Sequence, residues 1–153
     1  MLCNGWDEER ARAEVAEAVA SGKAFETMKK WIAAQGGNAA ALEDFSLLPQ
    51  ASVHYKLKAP RSGYLAHMDA QKIGEASAIL GAGRQKKEDS IDYAAGIVLR
   101  KKTGDRVEAG ETLAELWTNQ EKSIADSEAE FLSALVWGEE APQHQPLVLG
   151  VIR

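Results

Sequence analysis

The sequence holds a single cysteine, Cys3, in 153 residues. One thiol makes no internal disulfide and no thiolate cluster for zinc, and it fits a reducing compartment. No run approaches the roughly 18 apolar residues of a membrane-spanning helix. The opening Met1-Leu2-Cys3-Asn4 has neither the basic nor the apolar region of a secretory signal. Together these absences lead to the expectation of a cytoplasmic protein with no membrane partner. An excess of positive charge is missing too. The formal net charge is -5, which argues against nucleic acid as a partner, because tracking phosphates takes clustered Lys and Arg. The local basic groups, Lys29-Lys30, Lys86-Lys87 and Arg100-Lys101-Lys102, read as solvated faces and turns. His54, His67 and His144 have no Cys, His or carboxylate at metal-ligand spacing, and no carboxylate pair stands out as an acid–base couple. No catalytic residue, metal or cofactor is therefore expected in this chain.

What is present suffices for a packed core. The composition is 45% hydrophobic and 27% charged, ordinary for a globular domain. Asp7 to Ala20 reads as a helix, with acidic residues at the positive end of its dipole and Ala11, Val15 and Ala18 as an apolar stripe. Lys23 to Gln35 reads as a second helix, whose stripe Phe25, Met28 and Ile32 is expected to be core, and Gly36-Gly37 ends it. The period then changes. Val53, Tyr55, Leu57 and Ala59 alternate with His54, Lys56 and Lys58, the pattern of a half-buried strand. Further strands are expected over Tyr64–Met68, Ala95–Lys101, Leu113–Trp117 and Leu147–Ile152. Helices are expected over Gln71–Leu80 and Ser123–Val136. Two helices followed by strands mixed with helices make an α+β chain and not a βαβ repeat.

Two segments share a glycine-punctuated form. Ala59-Pro60-Arg61-Ser62-Gly63-Tyr64-Leu65 reads A-P-x-x-G-x-L, and Gly104-Asp105-Arg106-Val107-Glu108-Ala109-Gly110-Glu111-Thr112-Leu113 reads G-D-x-V-x-x-G-x-x-L. They resemble the two halves of a biotinyl or lipoyl carrier domain, a barrel-sandwich hybrid, with a helix and loop of about residues 70–91 inserted between them. A carrier needs a modifiable lysine on an exposed hairpin. Lys122 is the only lysine near that place, and its flanks do not match, so the motif reads as architecture. A stand-alone scaffold or binding module of this type is the alternative. Gly81-Ala82-Gly83-Arg84 follows a helix instead of opening one, unlike a phosphate cradle, and reads as a cap and turn.

Taken in order, Gly22-Lys23-Ala24-Phe25-Glu26, Ala34-Gln35-Gly36-Gly37, Leu47-Leu48-Pro49, Gly63-Tyr64, Ile73-Gly74, Leu80-Gly81-Ala82-Gly83-Arg84, Lys87-Glu88-Asp89, Ile91-Asp92-Tyr93-Ala94-Ala95-Gly96-Ile97 and Gly104-Asp105-Arg106-Val107 resemble the C-terminal part of the pyrimidine nucleoside phosphorylases, including thymidine phosphorylase. The likeness runs over roughly residues 7–137. It implies an α/β-hammerhead over residues 51–153, preceded by a helical segment, residues 1–50, left from the central lobe. It also implies a reaction for the whole enzyme, in which phosphate as co-substrate attacks C1′ of a pyrimidine nucleoside. The family's Lys-His-Ser phosphate element and its Arg and Ser-x-x-x-Lys base site are not found here. The chain is accordingly expected to be an excised domain or a stand-alone hammerhead, inactive alone, with the missing catalytic lobe as its partner. The family's dimerising helical domain is absent as well, so the usual dimer is not expected. Two lobes close over substrate in that family, and Gly81, Gly83, Arg84, Lys86, Lys87 and Glu88 are the candidate edge that meets the missing lobe.

Overall fold

The computed structural model describes residues 5–84, 86–143 and Gly150. Cys3, His144 and the strand expected over Leu147–Ile152, Gly150 excepted, lie outside the described residues. The chain divides into two compact units, residues 1–48 and 49–153.

The first unit is helical. Helix α1, Glu8–Ala20, is capped by Asp7, whose side chain accepts the Arg10 N–H at 2.8 Å, satisfying one of the donors a helix start leaves open. Gly22 takes a left-handed φ of 77° and starts α2, Lys23–Ala34. Two short 3-10 turns follow, Ala39–Leu42 and Phe45–Leu47. Lys29 reaches both Glu26 and Glu43 at 2.9 Å and ties α2 to the first of these turns. The large residues of the apolar stripes are not core. Val15, Phe25, Met28 and Trp31 are 51%, 41%, 44% and 62% exposed, whereas the described residues buried here are the small Ala11 and Ala41. Two helices and two turns have too little surface to cover amphipathic faces of this width. The expectation of a Phe25–Met28–Ile32 core fails at Phe25 and Met28 for that reason, while Ile32 is half-buried.

Among the described residues, the second unit has six antiparallel strands in two three-stranded sheets. The strands are β1 Val53–Lys58, β2 Gly63–Met68, β3 Gly96–Leu99, β4 Arg106–Val107, β5 Thr112–Thr118 and β6 Leu135–Gly138. One sheet has the order β1-β5-β3 and the other β4-β2-β6. Strand β1 shows the alternation its sequence dictates, with Leu57 buried between exposed Lys56 and Lys58. Helices α3, Ala70–Ser77, and α4, Ile124–Ser133, pack on each other. The buried Ser127 hydroxyl donates to the Ala76 carbonyl at 2.9 Å between them. The core joins Leu57, Leu65, Leu80, Val107, Leu113, Leu116 and Phe131, all at most 1% exposed. Burying each such side chain is worth about 1.5–3 kcal/mol. The Tyr55 hydroxyl donates to Glu128 at 2.9 Å, linking β1 to α4. That bond, with burial second, raises the tyrosine above its ordinary pKa.

The two glycine-punctuated segments clasp each other. The Ala59 N–H donates to the Glu111 carbonyl and the Gly110 N–H returns to the Ala59 carbonyl, both at 2.8 Å. The Leu65 N–H donates to Asp105 at 3.0 Å, and the Gly104 N–H to Leu65 at 2.8 Å. Gly63 has φ 153°, and a Cβ there would lie 3.1 Å from the Gly138 carbonyl, so only glycine lets β2 and β6 approach this closely. The last expected helix is shorter than its pattern. The helix expected through Val136 ends at Ser133, and β6 begins at Leu135. Phe131, Leu132 and Leu135 keep a helical spacing in sequence, but pairing with β2, Met68 opposite Leu135 and Leu65 opposite Trp137, wins. The mixed helix and sheet content makes this an α+β chain.

Candidate functional site

The segment from α3 to β3 carries the candidate residues. Asp69 caps α3, its side chain accepting the Gln71 and Lys72 N–H groups. The helix runs on into a wider π-type turn, Ala78–Ala82, that buries Leu80 and Gly81. Gly81 has φ 109°, and a Cβ there would stand 3.3 Å from Gln120 Nε2. A left-handed backbone in a tight place requires glycine. The helix expected through Leu80 therefore ends early, at Ser77, because this turn replaces its last α-helical bonds.

The base of the loop is pinned from three directions. The Asp92 N–H donates to the Gly81 carbonyl at 2.9 Å, closing the loop across its neck. Asp92 Oδ1 accepts the Ala94 N–H at 2.9 Å. The wholly buried Thr118 hydroxyl donates to the Leu80 carbonyl at 2.7 Å and accepts the Gln120 N–H at 2.9 Å. A buried carbonyl left without such a donor costs about 1–3 kcal/mol, so Thr118 holds the turn in place. The tip has its own closure. Asp89 Oδ2 accepts the Lys86 N–H at 2.8 Å, and the Asp89 N–H returns to the Lys86 carbonyl at 3.1 Å.

Of the sequence-predicted residues, Gly81 lies buried at the base and Gly83 is partly buried beside it. Arg84, Lys86, Lys87 and Glu88 are exposed on the tip. A cavity of about 310 Å³ lies under the loop, lined by Gly81, Gly83, Lys86, Asp89, Ser90 and Gln120 among others. The structure thus brings Gly81, Gly83 and Lys86 together around one cavity, while Arg84, Lys87 and Glu88 are carried on the same loop. Thr118, Asn119, Gln120 and Asp92 escaped the sequence reading. They come from the far end of β5 and from the loop exit, and no local pattern announces such a long-range bond.

The remaining candidates are scattered. His54 stacks on Trp117, centroids 4.2 Å apart, and His67 lies exposed in β2. Lys122 is exposed in a 3-10 turn, Glu121–Ser123, between β5 and α4, and not at the tip of a hairpin. Among the described residues no group of three His, Cys, Asp or Glu is placed to hold a metal ion, and no helix is long and apolar enough to cross a membrane.

A family model described as pyrimidine nucleoside phosphorylase C-terminal domain matches residues 64–136. Residues 64–136 are such a domain. Pyrimidine-nucleoside phosphorylases of Bacillus subtilis and Geobacillus stearothermophilus are each 45% identical, over 113 and 114 residues, or 74% of this chain and 26% of the relative. The enzyme of Staphylococcus aureus strain USA300 is 47% identical over 113 residues, with the same coverage. The chain thus spans about a quarter of the length of the curated relatives it matches. The phosphorylase C-terminal domain so bounded starts in β2 and ends in β6. It contains the π-turn, the pinned loop and the cavity, but leaves out β1, which the β1–β5 pairing makes part of the same sheet.

Proposed function

We propose that this chain is the non-catalytic closing domain of a pyrimidine nucleoside phosphorylase, a pentosyltransferase that splits thymidine or uridine with phosphate into free base and (deoxy)ribose 1-phosphate. In this reading the phosphate and base sites belong to a separate catalytic lobe, which is the partner of this chain. Residues 51–153 form the α/β-hammerhead, and residues 1–50 belong with the central lobe. The reciprocal bonds between the two glycine-punctuated segments support the hammerhead assignment. The exposed Phe25, Met28 and Trp31 of α2 support a larger apolar surface as the setting of the helical unit.

The observation that carries the reading is the loop itself. It is fixed at the neck by the Asp92–Gly81 bond and by buried Thr118, yet it presents Arg84, Lys86, Lys87 and Glu88 to solvent. A firm base with an exposed charged tip suits an edge that meets another lobe as the site shuts. Closure of this kind excludes water and completes the catalytic constellation. The departing base then meets fixed donors in a dry site. The test is Arg84→Ala in the full-length phosphorylase that carries this domain. Turnover is expected to fall with thermal stability unchanged, and unchanged kinetics would remove Arg84 from closure. The 153-residue chain alone is expected to leave thymidine intact in phosphate buffer.

A further inference from the structure

Asn119, the residue that follows β5, holds two segments distant from each other in sequence. Its Oδ1 accepts the Ser52 N–H at 2.8 Å, and its Nδ2 donates to Asp92 Oδ2 at 2.9 Å. A backbone N–H only donates and a carboxylate only accepts, so the two partners fix which way the amide faces. An aspartate in this place lacks the donor arm, and an apolar residue lacks both. Asp92 carries the connection onward. Its own N–H closes the loop neck on the Gly81 carbonyl, and its Oδ1 receives the Ala94 N–H. Ser52 stands shortly after Pro49, where the second unit begins. A chain of hydrogen bonds therefore runs from the entry segment, through one amide side chain, to the exit and neck of the loop. The Thr118 hydroxyl, by contrast, grips Leu80 with no link to Ser52.

We propose that Asn119 is a positioning residue that couples the backbone at Ser52 to the loop between Gly81 and Asp92. A displacement of the entry segment is then passed to the loop neck, and loosening of the neck is passed back. The functional meaning rests on the reading of this loop as the closing edge. The coupling itself rests only on the bonds named.

The test is residue-resolved amide hydrogen exchange on the 153-residue chain, which needs no catalytic lobe. Asn119→Asp keeps an acceptor for Ser52 but sets a carboxylate against Asp92. It is expected to speed exchange of the Asp92 and Ala94 amides roughly three- to tenfold, the loss of about one hydrogen bond. Coupling is reciprocal, so Asp92→Ala is expected to speed exchange of the Ser52 amide, and Ser52→Pro that of the Asp92 amide, each about two- to threefold. The Ala11 amide in α1, whose local opening breaks none of these bonds, serves as the internal control and stays at its wild-type rate in all three. Unchanged loop amides in Asn119→Asp overturn the proposal. So does a Ser52 amide indifferent to Asp92→Ala, even if Ser52→Pro fails to fold. Failure of the closure reading would show separately, as unaltered kinetics of Arg84→Ala in the full-length enzyme with the exchange result intact.

Discussion

The helical unit that ends at Leu48 and the sheet unit that begins at Pro49 solve the burial problem in opposite ways. The first buries alanines and leaves Val15, Val19, Phe25, Met28, Trp31 and Phe45 in contact with solvent. The second sinks Leu57, Leu65, Leu80, Leu113, Leu116 and Phe131 completely or nearly so. Sequence hydrophobicity is similar in kind. What differs is the number of surfaces available to meet. Two sheets and two helices enclose a volume, whereas one pair of short helices meets only along a seam.

The largest test of that contrast is Phe131→Ala. The side chain is wholly buried in the sheet unit, and its removal is expected to cost about 3–5 kcal/mol in urea unfolding. A loss under about 1 kcal/mol would mean the core is looser than its burial implies. Next comes Thr118→Val, which keeps the shape but strips the Leu80 carbonyl and the Gln120 N–H of their partner. A cost of about 1–3 kcal/mol is expected. The cavity under the loop should also gain mobility, read as faster exchange of the Gln120 amide.

A smaller effect comes from pH. Arg100 beside Glu115 and Lys101 beside Glu111 hold both carboxyls below the ordinary glutamate value. A depressed folded pKa stabilises above the unfolded value and loses that contribution as pH falls through the folded one. Melting temperature should therefore drop on acidification from the ordinary glutamate range downward. These pairs are solvated, so their share is expected to be only about a degree or two. Glu115→Gln should flatten that limb, and an identical acid profile would remove the pair as its cause. The smallest expected change is Trp31→Ser. Trp31 is 62% exposed, and the substitution should move stability by under about 0.5 kcal/mol while lowering binding of an apolar dye. A larger shift would show that Trp31 is packed more closely than its exposure implies.

Much of the fold was legible because it is local. The alternation over Val53–Ala59 fixes β1, and Gly81 breaks the helical path that α3 and its π-type turn follow. The errors are non-local. Leu135 and Val136 continue the helical spacing of Phe131 and Leu132, and only the distant β2 makes them a strand. Phe25 and Met28 look like core because an amphipathic stripe states what a helix needs and not whether the need is met. At the site the glycines and basic tip residues became candidates only through the family resemblance, since by type they read as a cap, a turn and solvated charge. Asn119 and Thr118 did not, since their roles lie entirely in what they reach.

The pairing order also constrains when the sheet unit can come into being. Val53 must wait for Thr118, and Met68 must wait for Leu135, before either strand has its full set of partners. Such distant pairings close slowly compared with helices. A chain leaving the ribosome thus carries an unpaired β1 until Thr118 has emerged, and a β2 with one open edge until Gly138 has emerged, intervals in which those edges are open to any strand nearby.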